Sequence, residues 1–420
     1  MSWAISYKAS CDAEGVARRP ELLDDPSLQR VLLPGNDPKR FENRVDDRET
    51  ATLCRAIAAS SAITEVDLSY SRIGNEGAHS IAELLGRNST LQHLNLSHNS
   101  IQSAGGKAIA DSLLLNISLI TLSLRGNSLG EDGGLAMSAM LRGNNTLVVL
   151  DLGQCDLGVH SLVSLSLALV SQPTVCCVRL DKPLLRGPQE LSSVVQHLAT
   201  MLQRNQAIVE LSLNFFGLGD DHLTLLLPFL VQSPSLRQLS LIGNKLTAEG
   251  GVGLSAMLSR RPDFTSLRVA GNRIDNDGAA ALAAAIRTHP TLSEVDLQTN
   301  AIGTKGLVAL AEAVQLSPAL KRISLWGNRF ESEAAFAFHK RRKDVLAAGA
   351  SSATISTSTG PGLKLPTTVT KKPITAAPIT APIAGPIGMN DMIENVPRTA
   401  SAMPVAIAGR NELTNSAGSA

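Results

Sequence analysis

The chain has 420 residues, of which 44% are hydrophobic and 18% charged. Single hydrophobic cores stop growing near ~250–300 residues, so the length excludes one simple globule and leaves several domains or an elongated repeat array. Lys+Arg 38 against Asp+Glu 37 gives a net charge of +1 and aromatics make up 3%, which excludes a dedicated nucleic-acid binder with a basic surface and stacking rings.

The five cysteines are Cys11, Cys54, Cys155, Cys176 and Cys177. Their number is odd and no CxxC occurs, so a reduced intracellular compartment is expected. The first residues show no basic region followed by an apolar run, so no secretory leader is expected. No stretch approaches ~18 uninterrupted apolar residues, so no membrane span is expected.

In chain order, the first patterned element is a degenerate frame at Leu28, Val31, Leu33 and Asn36, followed by Pro38. We read residues 1–62 as an N-terminal segment with a capping repeat. From Ile63 the frame LxxLxLxxN recurs, as in Leu91, Leu94, Leu96 and Asn99. The frame-opening residues are Ile63, Leu91, Leu119, Leu147, Val175, Ile208, Leu236, Phe264, Leu292 and Leu320, spaced by 28 except for 33 between Val175 and Ile208. Residues 63–330 therefore hold ten repeats with one five-residue insertion.

The pattern resembles the leucine-rich repeat, whose period falls in the 20–29 range. The length resembles the ribonuclease-inhibitor-like subtype, in which a strand and a full helix alternate. The expected fold is an α/β solenoid, horseshoe-shaped, with parallel strands on the concave face and helices on the convex face. Stacked strands sit ~4.8 Å apart and helices ~8–10 Å apart, so stacking both layers forces that curvature.

Asn99, Asn127, Asn244, Asn272, Asn300 and Asn328 share the ninth frame position. In a solenoid their amides satisfy backbone groups where the strand turns out of the sheet. Cys155 holds the same position and reads as a ladder residue rather than a nucleophile. Ser71, Pro183 and Phe216 depart from the pattern. Pro183 and Phe216 flank the insertion, so disturbed stacking is expected there.

Residues 331–348 read as a C-terminal capping helix carrying His339, Lys340, Arg341, Arg342 and Lys343. Cations are favourable near a helix C-terminus, and such a run also suits nuclear import or an acidic partner. Residues 349–420 are rich in Ser, Thr, Ala and Pro and read as a disordered low-complexity tail. Within it Met389, Met392, Ile393 and Val396 have the spacing of a short docking helix.

No constellation suggests catalysis. There is no HExxH, and Gly250-Gly251-Val252-Gly253 falls where a repeat turns into its helix, with no GK[ST] after it. No metal, cofactor or small-molecule substrate is expected, and neither nucleic acid nor membrane as a direct partner. What remains is a surface. Alternation along each strand points every second residue outward. The outward residues singled out as partner-binding are Tyr70, His93, His98, Arg125, Asp151, Arg179, Phe215, Arg268, Asp296 and Trp326. Aromatics and arginines are the types enriched at binding hot spots.

Irregular segments carry a closer likeness. Leu32-Leu33-Pro34-Gly35-Asn36-Asp37, Leu150 to Gly158, Pro183-Leu184-Leu185 with Gln189-Glu190, and Trp326 to Phe330 resemble the leucine-rich repeat-containing protein 34 family. That resemblance covers roughly residues 28–338. It implies a non-enzymatic interaction protein of ciliated and germ-line cells that is also placed in the nucleolus. The leading expectation is a scaffold or adaptor that grips a protein on the concave face, in the cytoplasm and within a cilium or flagellum. The alternatives are a regulator of a small GTPase, since the Ran GTPase-activating proteins use the same repeat length, and a nuclear or nucleolar interaction protein. The GTPase reading lacks an acidic C-terminus, because the acids beyond residue 349 are Asp391, Glu394 and Glu412.

Overall fold

The structure is a computed structural model, and it describes residues 3–338, apart from 24, 26 and 38–40, together with 354–356. One parallel sheet runs in strand order β1 to β12 with every strand beside its sequence neighbour. The strands are β1 Arg30–Leu32, β2 Glu65–Asp67, β3 His93–Asn95, β4 Thr121–Ser123, β5 Val149–Asp151 and β6 Cys177–Arg179. They continue as β7 Glu210–Ser212, β8 Gln238–Ser240, β9 Ser266–Arg268, β10 Glu294–Asp296, β11 Arg322–Ser324 and β12 Thr354–Ser356. The degenerate frame at Leu28 supplies β1, which pairs with β2 in the register Arg30 to Glu65.

Helices return the chain between strands and form the opposite wall. They are α1 Trp3–Glu14, α2 Asp47–Ala58, α3 Asn75–Leu85, α4 Ser103–Leu113, α5 Gly130–Gly143 and α6 Val159–Leu169. After them come α7 Pro188–Arg204, α8 Asp220–Gln232, α9 Ala248–Arg260, α10 Asp275–Thr288 and α11 Thr304–Leu316. The first, fourth and sixth frame residues point between the walls. Leu91, Leu94 and Leu96 are fully buried, as are Leu119, Leu122 and Leu124. Each repeat exposes an apolar face that only its neighbours can cover, so the core is continuous along the array.

The insertion does not disturb the sheet. Cys177 pairs with Glu210 in the same register as every other repeat. The extra residues lengthen α7 to 17 residues, against 11 in α6 and 13 in α8. A helix absorbs added length on the wall where spacing is loose, whereas a strand would lose its register.

The ends are closed differently. Two of the chain's few aromatics, Trp3 and Tyr7, are buried and stacked at 5.4 Å in α1. Trp3 Nε1 donates to Leu22 O at 2.8 Å, and Arg19 pairs with Glu49 of α2. At the other end residues 332–338 are helical, with Phe338 against Phe330. The basic run from His339 to Lys343 and the Met389–Val396 spacing lie outside the described residues. Of residues 349–420, Thr354–Ser356 is described, and it adds β12 beside β11.

Gly250 and Gly251 lie inside α9 rather than in the turn before it. A Cβ on Gly251 would come 2.8 Å from Gly278 Cα of α10. The missing side chain lets neighbouring helices touch, which is a packing role and not a phosphate cradle.

Candidate strand-face site

Two rows of hydrogen bonds hold the strand wall in shape. Along the C-terminal strand edge, Asn127 Nδ2 donates to Leu96 O and Leu124 O while its Oδ1 accepts from Ile101 N at 3.1 Å. Asn99, Asn244, Asn272, Asn300 and Asn328 bond in the same way. Cys155 Sγ donates to Leu124 O at 3.1 Å, the same ladder with a thiol in place of an amide. Burial pushes its thiol far up, and burial raises that of Cys54 to about 12. Neither is therefore poised as a thiolate at neutral pH.

The second row was not foreseen. At the turn into several strands, Asn116 donates to Leu85 O, Asn144 to Leu113 O and Asn205 to Leu169 O. Gln172, Arg261 and His289 take the same place with other chemistry. The recurring Asn88, Asn116 and Asn144, 28 residues apart, were the available signal.

Between these rows lies the face itself. The residue after the last outward strand position has positive φ in all ten repeats. Four are glycine, at 126, 243, 271 and 327, and six are Tyr70, His98, Gln154, Lys182, Phe215 and Thr299. The backbone must bend there to enter the ladder turn, so the conformation is set by architecture and not by residue type. Glycine follows His98, Phe215 and Thr299 in the next repeat, whereas Tyr70 is followed by His98, Gln154 by Lys182 and Lys182 by Phe215. Tyr70 stacks on His98 at 4.3 Å. A Cβ on Gly126 would strike His98, and one on Gly243 would strike Phe215.

The ten predicted residues fall into three groups. Tyr70, His93 and His98 are half-buried; Tyr70 and His98 stack just past the ends of β2 and β3, and His93 opens β3. His93 Nδ1 lies 3.1 Å from Thr121 Oγ1. Burial lowers both histidines and raises the Tyr70 hydroxyl, with Arg125 adding to the shift of His98.

Arg125, Asp151 and Arg179 form the middle group, and here the expectation of accessible side chains fails. Asp151 is 2% and Arg179 7% exposed. Alternation does point them away from the core, but strands ~4.8 Å apart let long neighbours cover short ones. Arg125 Nη1 reaches Asp181 Oδ2 at 2.7 Å and lies 3.6 Å from Asp151. Asp181 Oδ1 accepts from Ser212 Oγ at 2.6 Å and Asn214 N at 3.0 Å. Arg179 Nη2 donates to Glu210 at 2.8 Å. Burial raises Asp151 against the pull of both arginines. The group is a framework that fixes β4 to β7.

Phe215, Arg268, Asp296 and Trp326 make the third group. Phe215 and Trp326 are exposed, while Arg268 and Asp296 are half-buried. Glu294 lies between Arg268 at 3.3 Å and Arg322 at 3.2 Å. Burial acts to raise Glu294, but the two guanidinium groups outweigh it and hold it low. Burial raises Asp296, which accepts from Gln298 N at 3.1 Å.

Among the described residues no group of three or more His, Cys, Asp or Glu is placed to hold a metal ion. No helix there is long and apolar enough to cross a membrane.

The family described as Leucine Rich repeat matches residues 60–82, 87–110, 232–255, 262–283 and 288–311. Solved structures similar to the chain include Leiomodin-1 Actin-Binding Site 2, at 21% identity, 35% of this chain, 76% of that chain and TM-score 0.28. The tropomodulin C-terminal domain of Caenorhabditis elegans is similar at 16% identity, 44% of this chain, 98% of that chain and TM-score 0.31. An internalin of Listeria monocytogenes is similar at 14% identity, 81% of this chain, 93% of that chain and TM-score 0.42. No curated protein matches the chain. The matched repeats, and the alternation of parallel strand and helix that they build, identify the chain as a leucine-rich repeat solenoid.

Proposed function

We propose that the chain is a non-enzymatic scaffold or adaptor that holds a protein partner against its strand face. The observation that carries this reading is the contrast on that face. Its central charged side chains are tied to one another, and exposed aromatics stand beyond them at Phe215 and Trp326. A rigid, pre-paired wall loses little entropy on binding, and exposed aromatics supply contact area. The sequence likeness to the leucine-rich repeat-containing protein 34 family supports a setting in a cilium or flagellum.

Proximity labelling in ciliated cells, followed by cross-linking mass spectrometry on the captured complex, tests the reading. Cross-links that converge on β2 to β11 support it. Cross-links confined to the helical wall, or turnover of a small molecule by the purified chain, would overturn it.

A further inference from the structure

The strand face from β7 to β11 is built differently from the rest. Phe215 and Trp326 stand at its two ends, 51% and 45% exposed. Their strands are four steps apart, ~19 Å at ~4.8 Å per strand. In the two repeats between β7 and β10, the strand-end positions include Gly243, Ala270 and Gly271. Gly271 packs so closely that a Cβ on it would lie 3.4 Å from Gly243 Cα. The Phe215 ring lies over Gly243, so it leans toward the small residues. The result is a shallow trough over Gly243, Ala270 and Gly271, flanked by Ile242 on one side and Gln298 and Thr299 on the other, with an aromatic side chain at either end.

The rim of the trough is charged. Lys245, Arg273 and Arg329 occupy the same frame position, immediately after the ladder asparagine, and all three are exposed. None forms an ion pair among the described residues. Of the carboxylates nearby, Glu294 is held by Arg268 and Arg322, while Asp275 and Asp277 are exposed and form no ion pair among the described residues. The trough thus presents apolar ends and uncommitted positive charge along one edge.

We infer that this trough binds an acidic segment of a partner protein, with apolar side chains on Phe215 and Trp326 and carboxylates facing Lys245, Arg273 and Arg329. The inference rests on the protein-binding reading above and gives the partner its chemistry. Charge complementarity selects the occupant, since cations without a partner lose least when a carboxylate replaces water. About 13 residues of helix, at ~1.5 Å each, span the distance between the two strands. Three cations and two rings on strands ~19 Å apart make a poor track for a polynucleotide, which needs successive stacking platforms.

Fluorescence anisotropy with the full chain tests this. The probes are a fluorescein-labelled 20-residue peptide with leucines 13 positions apart and glutamates between, its lysine counterpart, and a 20-nucleotide oligothymidine. The acidic peptide should bind at least tenfold more tightly than the lysine one, and each of Phe215→Ala and Trp326→Ala should weaken it about tenfold. The triple variant Lys245→Glu, Arg273→Glu, Arg329→Glu should abolish binding while its circular dichroism melt is unchanged. Equal binding of both peptides, stronger binding of the oligonucleotide, or unchanged binding by the triple variant overturns the inference. A native partner that the triple variant still holds, with cross-links elsewhere on the strand face, also overturns it but leaves the protein-binding reading standing. Failure of that reading would show instead as no strand-face cross-links in the unmodified chain.

Discussion

Arg125 and Asp181 meet at 2.7 Å although a whole repeat separates them. The intervening repeat has Gly153 at the equivalent position, and a Cβ there would strike Arg125 Nη1. The absence of one methyl group is what lets the guanidinium cross β5 and neutralise a carboxylate on the far side.

Gly153→Val should therefore displace Arg125 and leave Asp151 and Asp181 without their shared cation. Breaking a fully buried pair costs ~3–5 kcal/mol. Arg125 retains 18% side-chain exposure, so water can partly replace it, and a loss of about 1–3 kcal/mol is expected. The midpoint of urea unfolding measures it. Arg125→Met should cost a similar amount, and adding it to Gly153→Val should cost little more, because both changes remove the same contact.

Gly243 and Phe215 should be coupled. Gly243→Ala meets both a φ of +68 and the Phe215 ring. The left-handed backbone alone costs ~1–2 kcal/mol for a residue with a Cβ. In a Phe215→Ala background only that part should remain. A double-mutant cycle read by thermal unfolding would show additive effects if the ring and the glycine were independent.

The ladder predicts unequal costs at equivalent positions. Asn272→Ala strands Leu246 N and Leu241 O in a buried turn and should cost about 2–4 kcal/mol. Cys155→Ala removes one weak Sγ donor and should cost about 1 kcal/mol. Equal losses of denaturant stability in the two variants would refute the shared ladder role.

His289 sets a pH dependence. Its Nδ1 accepts from Thr291 N and Leu292 N and its Nε2 faces Arg261 O at 2.8 Å, so the fold requires the neutral ring. Burial lowers its pKa below the ordinary 6.5, opposed by the Arg261 carbonyl. The unfolded chain therefore binds a proton that the folded chain refuses. Stability from this group is complete above about pH 6.5 and declines as pH falls from there toward the lowered folded value. His289→Asn copies the residue at 116, 144 and 205. It should keep neutral-pH stability within about 1 kcal/mol and flatten the slope of unfolding free energy between pH 6.5 and 5.

The fold was legible because its cause is periodic. A 28-residue spacing of leucines specifies one strand and one helix per unit, and neither can bury its apolar face without the next unit. The asparagine ladder was legible for the same reason, since a buried turn recurs wherever the frame recurs. Lys182, Phe215 and Thr299 show the limit. Each occupies a left-handed position that glycine fills in other repeats, and the frame alone does not mark that position as bent.

The strand face depended on relations between repeats, which a one-repeat pattern cannot contain. Alternation reads Asp151 and Arg179 as outward strand positions, yet both are buried. Whether water reaches them was decided by Arg125 and Glu210 of neighbouring repeats, 26 residues from Asp151 and 31 from Arg179 along the chain. The insertion near Pro183 is a similar case: sequence located it, but the looser helical wall determined that α7 would absorb it and the sheet would not. Periodicity acts within a repeat and is written locally. Burial, charge pairing and the gap left by a glycine arise only when different repeats are brought side by side.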